Sequence, residues 1–172
     1  KLMNRKHTIE RYLNVYEKLK KINTNIEFSS DFIIAYPEEN DQDFNDTLDL
    51  IKKIKFVNSY SFIFSPRPGT VAGDLKLIEK TIADERLNII QKELFKNQII
   101  KNKSLEKKSL KVLVENQMKN KTKLFGRTEY MTSVIFEGSK ENIGKIVEVE
   151  IDSSNQHTLF GILKLNDNKR VA

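Results

Sequence analysis

The chain has 172 residues, with 30 Lys and Arg against 24 Asp and Glu and a formal net charge of +6. Apolar residues make up 38% and charged residues 31%; that is enough core for one or two domains and excludes a disordered tail or a collagen-like chain. Cysteine is absent, which excludes disulfides, thiolate zinc sites, a cysteine nucleophile and self-supplied iron–sulfur ligation, and two histidines, His7 and His157, give metal hydrolysis little support.

No run of about 18 apolar residues is present, so no membrane span is expected. Lys1-Leu2-Met3-Asn4-Arg5 carries charge, but the apolar stretch of a signal peptide does not follow it. Thr8 is placed to cap a helix with Glu10 and Arg11 in its first turn. Ile9, Tyr12, Leu13, Tyr16, Leu19 and Ile22 follow the spacing of one buried helical face, and Asn23-Thr24-Asn25 ends it. Phe32 to Tyr36 is continuously apolar, which predicts a strand buried on both faces of a parallel sheet, stopped by Pro37. Whether Asp31 beside it is a buried partner for a base or a pocket group is left open.

Glu38, Glu39, Asp41 and Asp43 crowd the start of the next helix, where the dipole favours them. Phe44, Leu48, Ile51 and Ile54 form its apolar face. Ser59 to Phe64 predicts a second strand, broken by Ser65-Pro66-Arg67-Pro68-Gly69-Thr70. Alternating strands and helices make right-handed βαβ units, whose ligands sit at the carboxyl ends of the strands. The loops 37–40 and 65–70 both lie at that edge, as rims of a cofactor site or as plain strand terminators.

Residues 71–83 read as a connection, and Asp84 precedes a long helix marked by Leu87, Ile90, Leu94 and Ile99. The charge excess is concentrated here. Residues 80–123 hold 12 Lys and Arg against 5 Asp and Glu, while the segment before is neutral and the segment after carries −1. Such a field attracts polyanions, although a solvated lysine-rich helix face explains it equally well. The last third changes period. Leu110–Glu115, Lys123–Thr128, Ser133–Glu137, Ile143–Ile151 and Thr158–Leu165 predict five short strands and a small antiparallel barrel of OB-like size.

Three stretches together resemble a known family. Ser29-Ser30-Asp31-Phe32-Ile33-Ile34 with its Pro-Glu loop, and the run Ser61-Phe62-Ile63-Phe64-Ser65-Pro66-Arg67-Pro68-Gly69-Thr70, look like the radical-SAM methylthiotransferases, closest to the MiaB-type tRNA enzymes. Lys1 to Thr8 is similar to the same family's Met-x-Arg-x-Tyr-Thr segment, with His7 in place of Tyr. Gly126-Arg127-Thr128 and Val134-Ile135-Phe136-Glu137-Gly138 mark the resemblance of the barrel to a TRAM domain.

The resemblance implies a fold, α/β followed by all-β: the C-terminal portion of a (β/α) radical-SAM barrel over residues 1–104 and a TRAM RNA-binding barrel over 105–168. It implies methylthiolation at C2 of N6-isopentenyladenosine-37 in tRNA, with S-adenosylmethionine and two 4Fe–4S clusters in the full-length enzyme. The cluster ligands are absent from this chain, so the chain alone is expected to be inactive. The implied partner is the anticodon stem-loop of tRNA. A cytoplasmic monomer without a membrane partner is expected. A stand-alone RNA-binding module without enzymatic activity is the alternative.

Site residues follow from the same resemblance. Pro37 and Glu39, with Ser65, Arg67 and Thr70, border the implied S-adenosylmethionine pocket, Arg67 offering a planar fork to a carboxylate or phosphate, or else a structural ion pair. Lys123, Phe125 and Arg127 combine charge with an aromatic ring suited to RNA, with core packing as the other reading of Phe125. His157 reads as an ordinary loop histidine. The family's loop after the first strand usually reads Gly-Phe-Pro-Gly-Glu-Thr. Here Ala35 and Glu38 replace both glycines, and they are expected to hinder close backbone approach by the cofactor.

Overall fold

The computed structural model describes residues 5–119 and 122–164. The opening residues Lys1 to Asn4 and the expected strand end at Leu165 lie outside the described residues. The chain divides into two compact units, Lys1–Gln91 and Lys92–Ala172.

In the first unit, helix α1 (Ile9–Ile22) starts where Thr8 accepts a hydrogen bond from the Arg11 N–H at 3.3 Å. Its apolar stripe is only half covered: Ile22 is 82% exposed and no residue of α1 is buried. Strand β1 (Asp31–Ile34) pairs in parallel with β2 (Tyr60–Ile63), with Asp31 opposite Tyr60 and Ile34 opposite Ile63. Helix α2 (Asp41–Ile54) connects them, and its Phe44, Ile51 and Ile54 are buried.

The expected burial of β1 on both faces is not what the structure has. Phe32 and Ile34 are buried, and Phe32 meets Phe56 edge-on at 5.2 Å. Ile33 points the other way, with Tyr60 and Phe62 beside it, and all three are exposed. Successive side chains of a strand alternate between faces. Among the described residues the sheet has two strands, and that second face stays largely open.

Helix α3 (Lys80–Leu105) begins one turn before Asp84. Lys80 pairs with Asp84, the Thr81 hydroxyl bonds Glu79, and the Glu79 carbonyl accepts from the Ala83 N–H. These local bonds win the extra turn from the connection expected over 71–83, which keeps a short 3-10 turn at Val71–Asp74.

The second unit is a closed barrel in the order β3-β4-β5-β7-β6, with β3 at Ser109–Gln117, β4 at Lys123–Thr128, β5 at Ser133–Glu137, β6 at Ile146–Ser154 and β7 at Thr158–Leu163. Its core is Val112, Val114, Leu124, Val134, Phe136, Val149, Ile151 and Leu159, joined by Leu105 of α3. The barrel is not wholly antiparallel, because β5 and β7 pair in parallel. A ring with an odd number of strands cannot alternate direction all the way round. No helix among the described residues is long and apolar enough to cross a membrane.

Gly126 lets β4 cross β3 closely: a Cβ there would lie 2.4 Å from the Leu113 carbonyl oxygen and 2.7 Å from Val112 Cγ1. Backbone cannot yield as a flexible side chain can. Gly126→Ala is expected to destabilise the barrel by about 1–3 kcal/mol, read as a lower urea midpoint. An unchanged midpoint would refute the crossing as described.

Candidate functional site

Parallel pairing brings the ends of β1 and β2 out at one edge, and each strand runs into a turn of the same construction. After β1, the Glu39 N–H donates to the Tyr36 carbonyl at 2.9 Å, with Pro37 first inside the turn and Glu38 second at φ +71°. After β2, the Thr70 N–H donates to the Arg67 carbonyl at 3.3 Å, with Pro68 first and Gly69 second at φ +77°. Both are type II turns: proline fixes the first inner residue, and the second must adopt positive φ. The Tyr36 and Phe64 rings meet edge-on between the two strand ends at 5.0 Å.

The first turn spends its polar groups internally. The Glu39 carboxylate accepts from the Ala35 N–H at 3.1 Å and from Arg86 Nη1 at 2.9 Å. Arg86 Nη1 also donates to the Glu39 carbonyl, and Nη2 donates to Asp41 Oδ1 at 2.6 Å. Asn40 then caps α2 through a capping box with Asp43. Ala35 stands at φ +57°, so both residues in the glycine positions of the family pattern hold the left-handed backbone that glycine would adopt.

The five residues expected at the rim divide. Pro37 is buried and Glu39 is nearly so, both inside the first turn. Ser65, Arg67 and Thr70 are exposed on the second. The Thr70 hydroxyl donates to the Arg67 carbonyl at 2.8 Å and accepts from the Gly73 N–H at 3.1 Å. The Arg67 guanidinium has no ion pair among the described residues, which leaves its fork open to an anion. Asp31 is exposed at the far end of β1.

On the barrel, Lys123, Phe125 and Arg127 alternate with buried Leu124, Gly126 and Thr128, so they line the outer face of β4. Phe125 is thus not a core residue. The Arg127 guanidinium lies 5.5 Å from the Phe125 ring centre, and its Nε pairs with Glu115 at 3.0 Å. The register sets Phe125 opposite Ile135, and Ile135 opposite Phe160, all three half-buried and outward. This apolar row across three strands escaped the sequence reading, because only strand register brings its members together.

Around this unit, Lys103, Lys107, Lys108 and Lys111 are exposed, and Lys101 Nζ sits 4.1 Å from the Tyr130 ring centre. His157 is exposed in the β6–β7 turn with the Phe95 ring edge-on at 6.2 Å. No group of three or more His, Cys, Asp or Glu among the described residues could hold a metal ion.

Comparison with known proteins gives two family models: the radical SAM superfamily over residues 1–51 and the TRAM domain over residues 103–164. The tRNA-2-methylthio-N(6)-dimethylallyladenosine synthase of Pelagibacter ubique is 69% identical over 99% of this chain and 38% of its own length. The proteins of that name from Ruthia magnifica and Rickettsia bellii are 43% and 42% identical, over 95% and 94% of this chain. The chain spans about 38%, 37% and 36% of the lengths of these three relatives.

Burial is the largest influence on the Glu39 carboxyl and pushes it above the usual carboxylate value, against the pull of the Ala35 N–H and Arg86. The unfolded carboxyl titrates at its ordinary value. This group's contribution to stability is therefore greatest below that value and is lost as pH rises through the raised one. Between about pH 7 and about pH 4, the wild-type urea midpoint is expected to gain on that of Glu39→Gln as pH falls. A pH-independent difference would contradict the assigned titration.

Proposed function

We propose, for a chain that belongs to the MiaB-type radical SAM methylthiotransferases and corresponds to their C-terminal portion, that it supplies the late barrel wall and the RNA grip of a tRNA-modifying enzyme. The reaction is methylthiolation at C2 of N6-isopentenyladenosine-37, on the anticodon stem-loop of tRNA in the cytoplasm, by a monomer. Residues 1–104 are the radical-SAM portion and residues 105–168 the TRAM portion. The observation that carries this reading is the bare face of the β1–β2 sheet. Ile33, Tyr60 and Phe62 are 40%, 64% and 54% exposed, as expected for the interior wall of a barrel whose other strands come from elsewhere.

The residues present do not fit an iron–sulfur cluster. Cluster ligands are thiolates, and the chain has no cysteine. A cysteine-bearing portion must supply that chemistry. For S-adenosylmethionine, the second turn supplies the fitting groups: Arg67 offers two parallel N–H donors to a carboxylate, flanked by Ser65 and Thr70. When bound, that cofactor serves the sulfur and methyl insertion. Pro37 and Glu39 shape the neighbouring turn. Lys123 and Arg127 meet phosphates, and Phe125 offers a ring to an unstacked base.

The closed barrel, with its own core, favours the second reading: an RNA-binding module without enzymatic activity. Joining a Cys-x3-Cys-x2-Cys-bearing N-terminal portion to this chain separates the two. Restored 2-methylthio product in a deficient strain supports the enzyme reading, and none rejects it for this chain. For the RNA grip, the full chain is expected to shift tRNA in a gel, less so at higher salt. Lys123→Ala should weaken binding and lower the salt slope by about one, while Phe125→Ala should cost about 1–3 kcal/mol. Salt-insensitive binding, or none, refutes the grip.

A further inference from the structure

We infer that Arg86 is a positioning residue that holds the 35–41 loop in its left-handed shape, doing through side-chain bonds what glycine does elsewhere by backbone freedom. The two type II turns provide the comparison. The turn after β2 places Gly69 at φ +77° with nothing within 4 Å of where a Cβ would stand. Glycine reaches that region at no steric cost, and among the described residues no ion pair ties its Arg67 guanidinium. The turn after β1 has Glu38 at φ +71° in the equivalent position and Ala35 at φ +57° just before it. A side chain at positive φ is strained and persists only where the surroundings hold it there.

The surroundings here converge on one side chain. Arg86 comes from α3, 47 residues beyond Glu39 in sequence, and is 7% exposed. Its Nη1 bonds both the carbonyl and the carboxylate of Glu39, at 3.0 and 2.9 Å, and its Nη2 bonds Asp41 at 2.6 Å. The Phe44 ring lies 5.4 Å from its guanidinium carbon. The Glu39 carboxylate, fixed in this way, accepts the Ala35 N–H at 3.1 Å. Arg86 thus touches both ends of the strained stretch, directly at residues 39 and 41 and through Glu39 at residue 35. A lysine has one point charge and lacks the two-nitrogen fork with which Arg86 reaches the three acceptors.

This inference concerns the shape of the loop and stands whether or not the loop borders S-adenosylmethionine. It is tested by NMR amide exchange on the full chain, comparing wild type, Arg86→Lys, Arg86→Met, and Arg86→Met with Ala35→Gly and Glu38→Gly. Loss of the clamp should lower protection of the Ala35 and Glu39 amides by roughly tenfold or more, with a smaller effect in β1. Lysine should recover part of it. The two glycines should recover most of it without restoring any ion pair, because they remove the strain that the clamp opposes. If Arg86 only ties α3 to its neighbours, glycine recovers nothing and the inference fails. Unchanged protection in Arg86→Met also overturns it. Should Arg86→Met unfold the unit, refolding by the two glycines reads the same way and continued unfolding rejects the clamp. A separate arm with added S-adenosylmethionine reads the pocket assignment alone.

Discussion

Parallel pairing of β1 with β2 is the constraint on which the first unit depends. Antiparallel neighbours would have put the two strand ends at opposite edges. The parallel register forces the chain to return through α2, and the return brings both strand ends, with the turns Tyr36-Pro37-Glu38-Glu39 and Arg67-Pro68-Gly69-Thr70 that follow them, out at one edge. Everything chemically notable in this unit sits on those two turns or is bonded to them. The same pairing explains the exposed apolar face. A parallel sheet is stable with both faces covered, and here one face carries buried Phe32 and Ile34 while the other carries exposed Ile33, Tyr60 and Phe62.

The two turns solve one backbone problem in different ways. Gly69 adopts positive φ freely, whereas Ala35 and Glu38 adopt it inside a bonded frame built from Glu39, Asp41 and Arg86. A buried guanidinium is costly to desolvate, and it is tolerated here because two carboxylates, a carbonyl and an aromatic face meet it. The consequence is a first turn with its polar groups committed inward, whereas the second turn has Arg67 facing outward.

In the second unit the work is done by alternation. Inward residues of β3 to β7 fill a closed core, and outward residues face away from it. On β4 those are Lys123, Phe125 and Arg127, and the next strands extend the apolar row with Ile135 and Phe160. Asn102 of α3, fully buried, donates to the carbonyls of Asn155 and Gln156 at 2.8 and 3.1 Å. That buried amide fixes the β6–β7 turn from the side of the helix, a role its sequence context gave no sign of.

Periodicity alone placed the helices, the alternating strands and the five barrel segments to within about a turn, since those patterns depend on neighbours a few residues away; α3 starts at Lys80, before Asp84, and β6 at Ile146, after the expected Ile143. It also located both loops, because proline and glycine act locally. The family resemblance added Glu39 and Arg67, but not what their side chains do. Arg86 was hidden in a lysine-rich helix, and its partners stand 45 and 47 residues earlier. The parallel β5–β7 ladder, the Phe125–Ile135–Phe160 row and the bare face of β1 were equally out of reach, because register and closure are properties of strands already assembled. Local sequence sets which elements form. Which side chains meet across them is decided by packing between segments far apart in the chain.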